Sequence, residues 1–243
     1  MVITILTFVR SNTPFWGFHG KVNIFALQFY LLTFPPPPSF FRNACEKWSN
    51  IDVKIQIKIV MYLDDGFGMA QNFEDCINHS QFVKNSLTKA GFLINEKKKS
   101  IFTPVSELEW LGILWNACEF SIKIPDRRII DLKVSIEETV KCFATVTARK
   151  LAQCVGRIIS MSPVVGNSTR LMTRHCYTCI CIESRSTWDS RLVTGYKDEI
   201  FNELNFWSKN INSLSTKRLD LYSKSSVIVF SDASSVACGA CTV

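Results

Sequence analysis

An apolar strand pattern that runs directly into two adjacent aspartates constrains this chain more than any other feature of its sequence. Apolar and polar residues alternate over residues 53–59, which is the period of a half-buried strand. Residues 60–63 are Val-Met-Tyr-Leu, and Asp64-Asp65-Gly66 follows at once. The pattern predicts a strand–turn–strand unit with its carboxylates at the tip.

Two carboxylates at the tip of a hairpin favour a divalent metal site. Adjacent aspartates repel each other, and a bound cation relieves that repulsion. Magnesium prefers carboxylate oxygens, and nucleotidyl transfer uses two metals about 3.5–4 Å apart to clamp the attacking and leaving oxygens. The alternative is a solvated polar turn. The apolar strand before Tyr62-Leu63-Asp64-Asp65 favours the metal site over that alternative.

The rest of the sequence predicts an α+β chain. After the aspartates we expect a helix over residues 73–90 ending at Gly91, then a strand over 92–94. Residues 108–115 and 120–124 predict a hairpin that turns near Asn116. Further elements are expected as helices over 126–143, 147–161 (capped by Thr147), 168–181 and 198–211, with a break at 163–167 and a buried strand over 227–230.

Five motifs in one order resemble those of reverse transcriptases, over residues 34–243. Tyr62–Asp65 resembles the (Tyr/Phe)-x-Asp-Asp box, and residues 81–95 with Lys99-Ser100 resemble the helix, strand and lysine loop that follow it. Trp110-Leu111-Gly112-Ile113 resembles the Leu-Gly hairpin that grips the primer. Residues 148–151 together with Val155-Gly156 resemble the connecting helix. Residues 231–234 together with Gly239-Ala240 resemble the first strand of ribonuclease H. The closest resemblance is to DIRS-like retrotransposons.

The resemblance implies an architecture in three parts. Residues 1–124 would form an incomplete polymerase palm, with a small sheet backed by helices. Residues 125–222 would form a mostly helical thumb and connection, and residues 223–243 a ribonuclease H-like stub of one strand.

The resemblance also implies a role for individual residues. Asp64 and Asp65 would bind Mg²⁺ or Mn²⁺, and Asp232 would be a metal ligand in the ribonuclease H part. Lys99, or its neighbour Lys98, would approach the incoming phosphates. The implied partners are an RNA or DNA template–primer and a dNTP. The residues that would contact nucleic acid are Tyr62, Trp110, Leu111, Gly112, Arg149 and Lys150.

The sequence departs from the family at its first catalytic motif. The family's palm takes a third metal-binding aspartate from an upstream strand, yet no aspartate precedes Asp52 here. The glycine-containing motif that follows is replaced by a stretch with four prolines at 35–38. The ribonuclease H part has one candidate carboxylate, Asp232. We therefore expect a truncated chain, either a decayed or a mispredicted element copy, with little or no polymerase activity and no hydrolysis.

A second hypothesis is a nucleic-acid-binding module without catalysis. The net charge is +7, from 28 Lys+Arg against 21 Asp+Glu, which favours a polyanionic partner. The residues proposed to hold a duplex backbone are lysines 54, 58, 97, 98 and 99 and arginines 149, 157, 170 and 174.

The 10 cysteines suggest a third hypothesis, a zinc site. Four candidate zinc ligands lie within seven residues, namely His175, Cys176, Cys179 and Cys181. Cys238 and Cys241 provide a second pair. The alternative, that these thiols are small buried hydrophobes, is favoured. The sequence shows no secretory signal and no apolar stretch of about 20 residues, so we expect an intracellular chain with reduced thiols and no membrane partner.

Overall fold

The computed structural model describes residues 23–31, 57–62, 65–95, 100–185, 187–189, 191–219, 229–233 and 236–242. Outside the described residues lie the proline run at 35–38, the start of the predicted strand at 53–56, and residues 40–48, whose apolar spacing predicts a helix. Within the described chain, no helix is long and apolar enough to cross a lipid bilayer.

The first sheet is antiparallel and has β1 at its centre. Its strands are β1 (Asn23–Leu31), β2 (Lys58–Tyr62), β3 (Asp65–Ala70), β4 (Phe92–Ile94) and β5 (Ile101–Val105). The order is β2-β3-β1-β4, and β5 also pairs with β1. β3 occupies one edge of β1, while β4 and β5 follow each other along the opposite edge.

One face of this sheet is covered by helix α1 (Phe73–Lys89). Asn72 caps the helix, because its side-chain oxygen accepts a hydrogen bond from the Asp75 backbone N–H at 2.7 Å. The apolar face of α1 then packs on the sheet. The buried residues of this core are Ile57, Ala70, Cys76, Val83, Leu87 and Phe92. The predicted helix is confirmed to within one residue at its end.

The opposite face is covered by a second antiparallel sheet, with strand order β6-β7-β8-β9. Its strands are β6 (Glu107–Trp110), β7 (Ile113–Asn116), β8 (Ser121–Lys123) and β9 (Thr216–Arg218). The hairpin predicted to turn near Asn116 is confirmed as the β7–β8 pair. Residues 108–115 do not form one strand, however, because the chain turns tightly at Leu111 and Gly112, whose φ angles are 50° and 72°. A β-hairpin turn of this kind needs positive φ, which leucine seldom adopts, so the leucine masked the turn.

The second half of the chain is mainly helical and has the largest core. Buried side chains from all its longer helices and from β7 and β8 form this core, and Trp207 is fully buried within it. The helices are α2 (Asp126–Lys141), a 3-10 turn (Phe143–Thr145), α3 (Ala148–Ile159), α4 (Ser162–Val165), α5 (Ser168–Leu171), α6 (Arg174–Glu183) and α7 (Lys197–Asn210). Thr147 caps α3 as predicted, accepting from the Lys150 backbone N–H.

Two predictions for this helical part are wrong in detail. The expected helix over 168–181 is divided into α5 and α6, because the carbonyl of Met172 turns away to accept a hydrogen bond from Trp207 Nε1 at 2.7 Å. The break predicted at 163–167 contains the one-turn helix α4. Pro163 is at its start, where a missing N–H costs nothing, and the chain breaks afterwards at Gly166.

The described residues end in an antiparallel hairpin of β10 (Val229–Ala233) and β11 (Cys238–Thr242). The expectation of a single strand here is wrong, since residues 238–242 pair with the first strand throughout. The two proposed domain boundaries, after residues 124 and 222, stay predictions. The β8–β9 pairing joins residues on both sides of the boundary placed after residue 124.

Candidate nucleic-acid interface around the aspartate hairpin

Asp65 lies at the end of an antiparallel hairpin, which confirms the predicted pairing of two strands around the aspartates. β2 pairs with β3 from Lys58↔Met69 to Tyr62↔Asp65, so Leu63 and Asp64 connect the strands. Asp65 is half-buried at the start of β3, and Tyr62 is half-buried opposite it. Asp64 lies outside the described residues. We call β2 and β3 together the aspartate hairpin.

The strand beside this hairpin offers no acidic residue. β1 pairs with β3 in a register that sets Gln28 directly opposite Asp65. Residues 23–31 contain neither aspartate nor glutamate. A site for two divalent cations needs several carboxylates around one point. Among the described residues, no group of three or more His, Cys, Asp or Glu side chains could hold a metal ion. This donor set therefore does not make a complete two-metal centre.

Asp65 shares a sheet face with an aromatic cluster. Side chains alternate between the two faces of a strand, so Asp65, Phe67 and Met69 lie on the same side of β3. Phe67 is fully buried there, and Trp110 stacks on it with ring centroids 5.2 Å apart. Trp115 contacts the same ring at 4.9 Å. These contacts fix the β6–β7 hairpin against the face of the sheet that carries Asp65.

We call β6 and β7 together the Leu-Gly hairpin. Its turn, at Leu111 and Gly112, is exposed to solvent at the tip and is bound on its inner side by Arg128. Leu111 is 42% exposed, whereas Trp110 beside it packs on Phe67. The Gly112 carbonyl oxygen accepts a hydrogen bond from Arg128 Nη1 at 2.6 Å, and Arg128 Nη2 donates to Ser160 Oγ at 2.6 Å. Arg128 therefore connects the turn to helices α2 and α3. Sequence reasoning missed this arginine, because nothing in its local pattern separates it from Arg127.

Residues 96–99, which include Lys97, Lys98 and Lys99, lie outside the described chain. The two ends of that segment are close together, since the Ser100 backbone N–H donates to the Asn95 carbonyl at 3.3 Å. The role of Lys99 stays a prediction.

Arg149 and Lys150 are exposed but already paired. Arg149 donates from Nε and Nη2 to the two carboxylate oxygens of Asp189, at 2.6 and 3.0 Å. Lys150 Nζ lies 2.8 Å from Glu138 Oε2. A phosphate would have to compete with these carboxylates for both cations. Their predicted contact with nucleic acid stays untested.

The remaining candidate ligands lie elsewhere in the fold. Asp232 lies in β10, opposite Gly239 in the register. Cys176 and Cys179 are buried, whereas Cys181 on the same helix is exposed, so the three thiols do not converge. Burial raises the pKa of the Cys176 thiol strongly, which keeps it a neutral core group.

Glu203 on α7 has a structural role that the sequence did not reveal. Its buried carboxylate accepts hydrogen bonds from the backbone N–H groups of His175 and Cys176, at 2.8 and 3.0 Å. Glu203, on a neighbouring helix, therefore caps the N-terminus of α6 by accepting hydrogen bonds from backbone N–H groups that have no partner within that helix. His175 Nδ1 lies 2.9 Å from the same carboxylate, which makes this histidine part of a helix cap.

Comparison with solved structures identifies the architecture. The structure of the foamy viral protease-reverse transcriptase dRH in complex with double-stranded DNA is similar, with a TM-score of 0.53 and 11% sequence identity. A second structure, of the foamy viral protease-reverse transcriptase in complex with double-stranded DNA, gives a TM-score of 0.52 and 13% identity. The chain has a reverse-transcriptase-like fold.

This likeness is one of fold. The matches cover 93% and 89% of this chain but 42% and 47% of the two foamy viral chains, so this chain spans less than half of either. No protein-family model matches the chain. No curated protein matches it either. The mixed helix-and-sheet architecture expected from the sequence is thereby confirmed.

Proposed function

We propose that this chain is the template–primer-binding part of a retroelement reverse transcriptase of DIRS-like type, and that it does not complete nucleotide addition by itself. Its partner is an RNA or DNA template paired with a primer. The palm, the thumb with connection, and the ribonuclease H-like segment would keep the boundaries proposed from the sequence.

The observation that carries this proposal is the stack of Trp110 on Phe67. It holds the Leu-Gly hairpin over the sheet face that Asp65 shares, so a primer end gripped by Leu111 and Gly112 would lie toward the aspartates. The foamy viral structures of the same fold are complexes with double-stranded DNA. The net charge of +7 adds a general attraction for a polyanion.

The missing carboxylate beside Asp65 is the reason we propose binding without catalysis. Asp64 and Asp65 could together hold one Mg²⁺ or Mn²⁺ ion, and a bound ion would neutralise phosphate charge. A second ion needs further carboxylate ligands. β1, the strand next to the hairpin, supplies none.

A binding experiment tests this proposal directly. Fluorescence anisotropy with a labelled RNA–DNA primer–template, repeated from low to high salt, should give an affinity that falls steeply as salt rises, because counterions are released on binding. Leu111→Glu should weaken binding about fivefold, since one unfavourable charge near a phosphate costs about 1 kcal/mol.

Val134→Glu is the matched control for that variant. Val134 is 49% exposed on α2, comparable to Leu111 at 42%, and the change adds the same charge. Equal losses in both variants would indicate general repulsion rather than a grip at the Leu-Gly turn. An affinity for primer–template that does not change with salt would contradict the proposal itself.

A further inference from the structure

The solvent-facing side of α6 carries arginines that no acidic residue neutralises. Arg174 and Arg185 are exposed at its two ends, and neither makes an ion pair within the described chain. Arg170, just before α6, is exposed and unpaired in the same way. Other exposed cations are of both kinds. Arg157 and Lys209 make no ion pair with the described residues either, whereas Arg127, Lys141 and Arg149 are each within 4 Å of a carboxylate.

The single acidic residue of α6 points away from this face. Glu183 follows Arg174 by nine residues, which places it on the opposite side of a helix with 3.6 residues per turn. Its charge raises the pKa of the buried Cys179 thiol, after burial itself, so it lies on the side that packs against the core. The outward side therefore has an uncompensated positive charge.

An aromatic side chain lies between the two arginines. Tyr177 is 59% exposed and follows Arg174 by one turn, while Cys179 and Ile180 on the inner side are buried. Ile182 is 49% exposed on the same helix. The two ends of α6, Arg174 and Glu183, are about 13 Å apart along the helix axis, and Arg185 follows two residues later. This length spans several phosphates of one strand.

We propose that this face of α6, defined by Arg174, Tyr177 and Arg185, binds a single-stranded nucleic-acid segment. The arginines contact phosphates, and Tyr177 stacks on the exposed face of an unpaired base. A base inside a duplex has no such free face, because its neighbours stack on it. Exposed aromatics between basic residues are the combination that single-strand binding uses. The inference rests on the proposed function, because an unpaired stretch of template adjoins the duplex that the chain is proposed to hold.

The test is fluorescence anisotropy of the full chain with labelled dT15, in parallel with the labelled primer–template duplex. Arg174→Ala/Arg185→Ala should bind dT15 about tenfold more weakly at low salt, and the slope of log affinity against log salt should fall by about 1.4, or 0.7 per lost phosphate contact. Tyr177→Ala should lose at least about fivefold, and Tyr177→Phe, which keeps the stacking ring, should stay within about twofold.

Arg127→Ala/Lys141→Ala is the matched control. It removes the same two charges from exposed positions, but both of these cations are ion-paired, with Glu109 and Glu137 respectively. It should bind dT15 within about twofold of the parent chain. A loss equal to that of the α6 double variant would overturn the proposal, because it would show a response to net charge alone.

The two oligonucleotides separate this inference from the function on which it rests. If the chain binds the duplex and the α6 variants leave dT15 binding unchanged, the α6 site is wrong and the proposed function stands. If the chain binds neither oligonucleotide while circular dichroism shows it folded, both are wrong. Equal losses on dT15 and on a fully paired duplex would also overturn the single-strand assignment.

Discussion

Arg128 donates a hydrogen bond from Nη1 to the Gly112 carbonyl oxygen over 2.6 Å, and so fastens the Leu-Gly turn to the start of α2. Its second guanidinium nitrogen reaches Ser160 at the end of α3. One planar side chain with several donors thus sets where the turn lies relative to two helices. Gly112, which is proposed to contact the primer, is therefore held in place by Arg128 and Ser160 of the helical part.

Arg128→Ala should both destabilise the fold and weaken primer–template binding. Loss of two hydrogen bonds from a charged donor costs about 1.5–3 kcal/mol in the free energy of unfolding. Urea denaturation measures the stability, and anisotropy measures the binding, which we expect to fall about fivefold as the turn loses its support. The control is Arg127→Ala, which removes an exposed ion pair with Glu109 and should cost less than about 1 kcal/mol. Equal effects in the two variants would exclude the anchoring role of Arg128.

Two glycines should respond to alanine in opposite directions. Gly112 has φ +72°, and an added Cβ would lie 3.0 Å from Arg128 Nη1. Gly112→Ala should therefore destabilise the fold by about 1–2 kcal/mol. Gly156 lies inside α3 with open space around an added Cβ, so Gly156→Ala should stabilise by about 0.5–1 kcal/mol. Thermal unfolding of both variants checks the pair, and a stabilised Gly112→Ala would contradict the geometry of the turn.

Phe67 should be the most sensitive position on the aspartate hairpin. It is 1% exposed and contacts both Trp110 and Trp115. Phe67→Ala should lower the free energy of unfolding by about 3–5 kcal/mol, because it leaves a cavity beneath the Leu-Gly hairpin. Phe67→Leu keeps most of the volume and should cost less than half as much in the same urea titration. Similar small losses in both would mean that the stack does not hold the two sheets together.

Glu203 should make the stability depend on pH in the acidic range. Burial alone raises the pKa of this carboxyl, but the hydrogen bonds from His175 and Cys176 outweigh it and hold the pKa below its ordinary value. A lowered pKa in the folded state adds stability above the ordinary glutamate pKa of about 4.3, and that stability is lost as pH falls through the folded pKa.

The matched variants for this effect are Glu203→Gln and Glu199→Gln on the same helix. Glu203→Gln should be less stable at pH 7 by about 1–3 kcal/mol, and its deficit should shrink as pH falls below about 4. Glu199 is exposed in the first turn of α7, and its variant should lose less than about 1 kcal/mol at pH 7. A deficit for Glu203→Gln that stays constant from pH 7 to pH 3 would show that the charge on Glu203 is not what caps α6.

Local patterns in the sequence were enough to predict most elements but not their breaks. The helix at 73–90, the cap at Thr147 and the aspartate hairpin were correct, because each depends on spacing or capping within a few residues. The division between α5 and α6 depends on the hydrogen bond from Trp207 to the carbonyl oxygen of Met172. These two residues are 35 positions apart, so no local sequence pattern contains this information. The turn at Leu111 likewise depends on support from Arg128.

The candidate site was predictable only in part for the same reason. The motif at Tyr62–Asp65 and the Leu-Gly pair were visible as short sequences. Their placement on one face of a sheet depends on the contact of Trp110 with Phe67, and the pairing of Arg149 with Asp189 spans 40 residues. Such contacts follow from the tertiary fold, and the sequence alone could not distinguish a free cation from a paired one.

The most direct test of the account is primer extension on an RNA template with Mg²⁺ or Mn²⁺, in samples where binding of the same primer–template is confirmed. The control is Asp64→Asn/Asp65→Asn. The account predicts that the folded chain binds the primer–template with salt-dependent affinity and adds no nucleotides. Extension that disappears in the control would contradict it, and would show that another carboxylate completes the site beside Asp65.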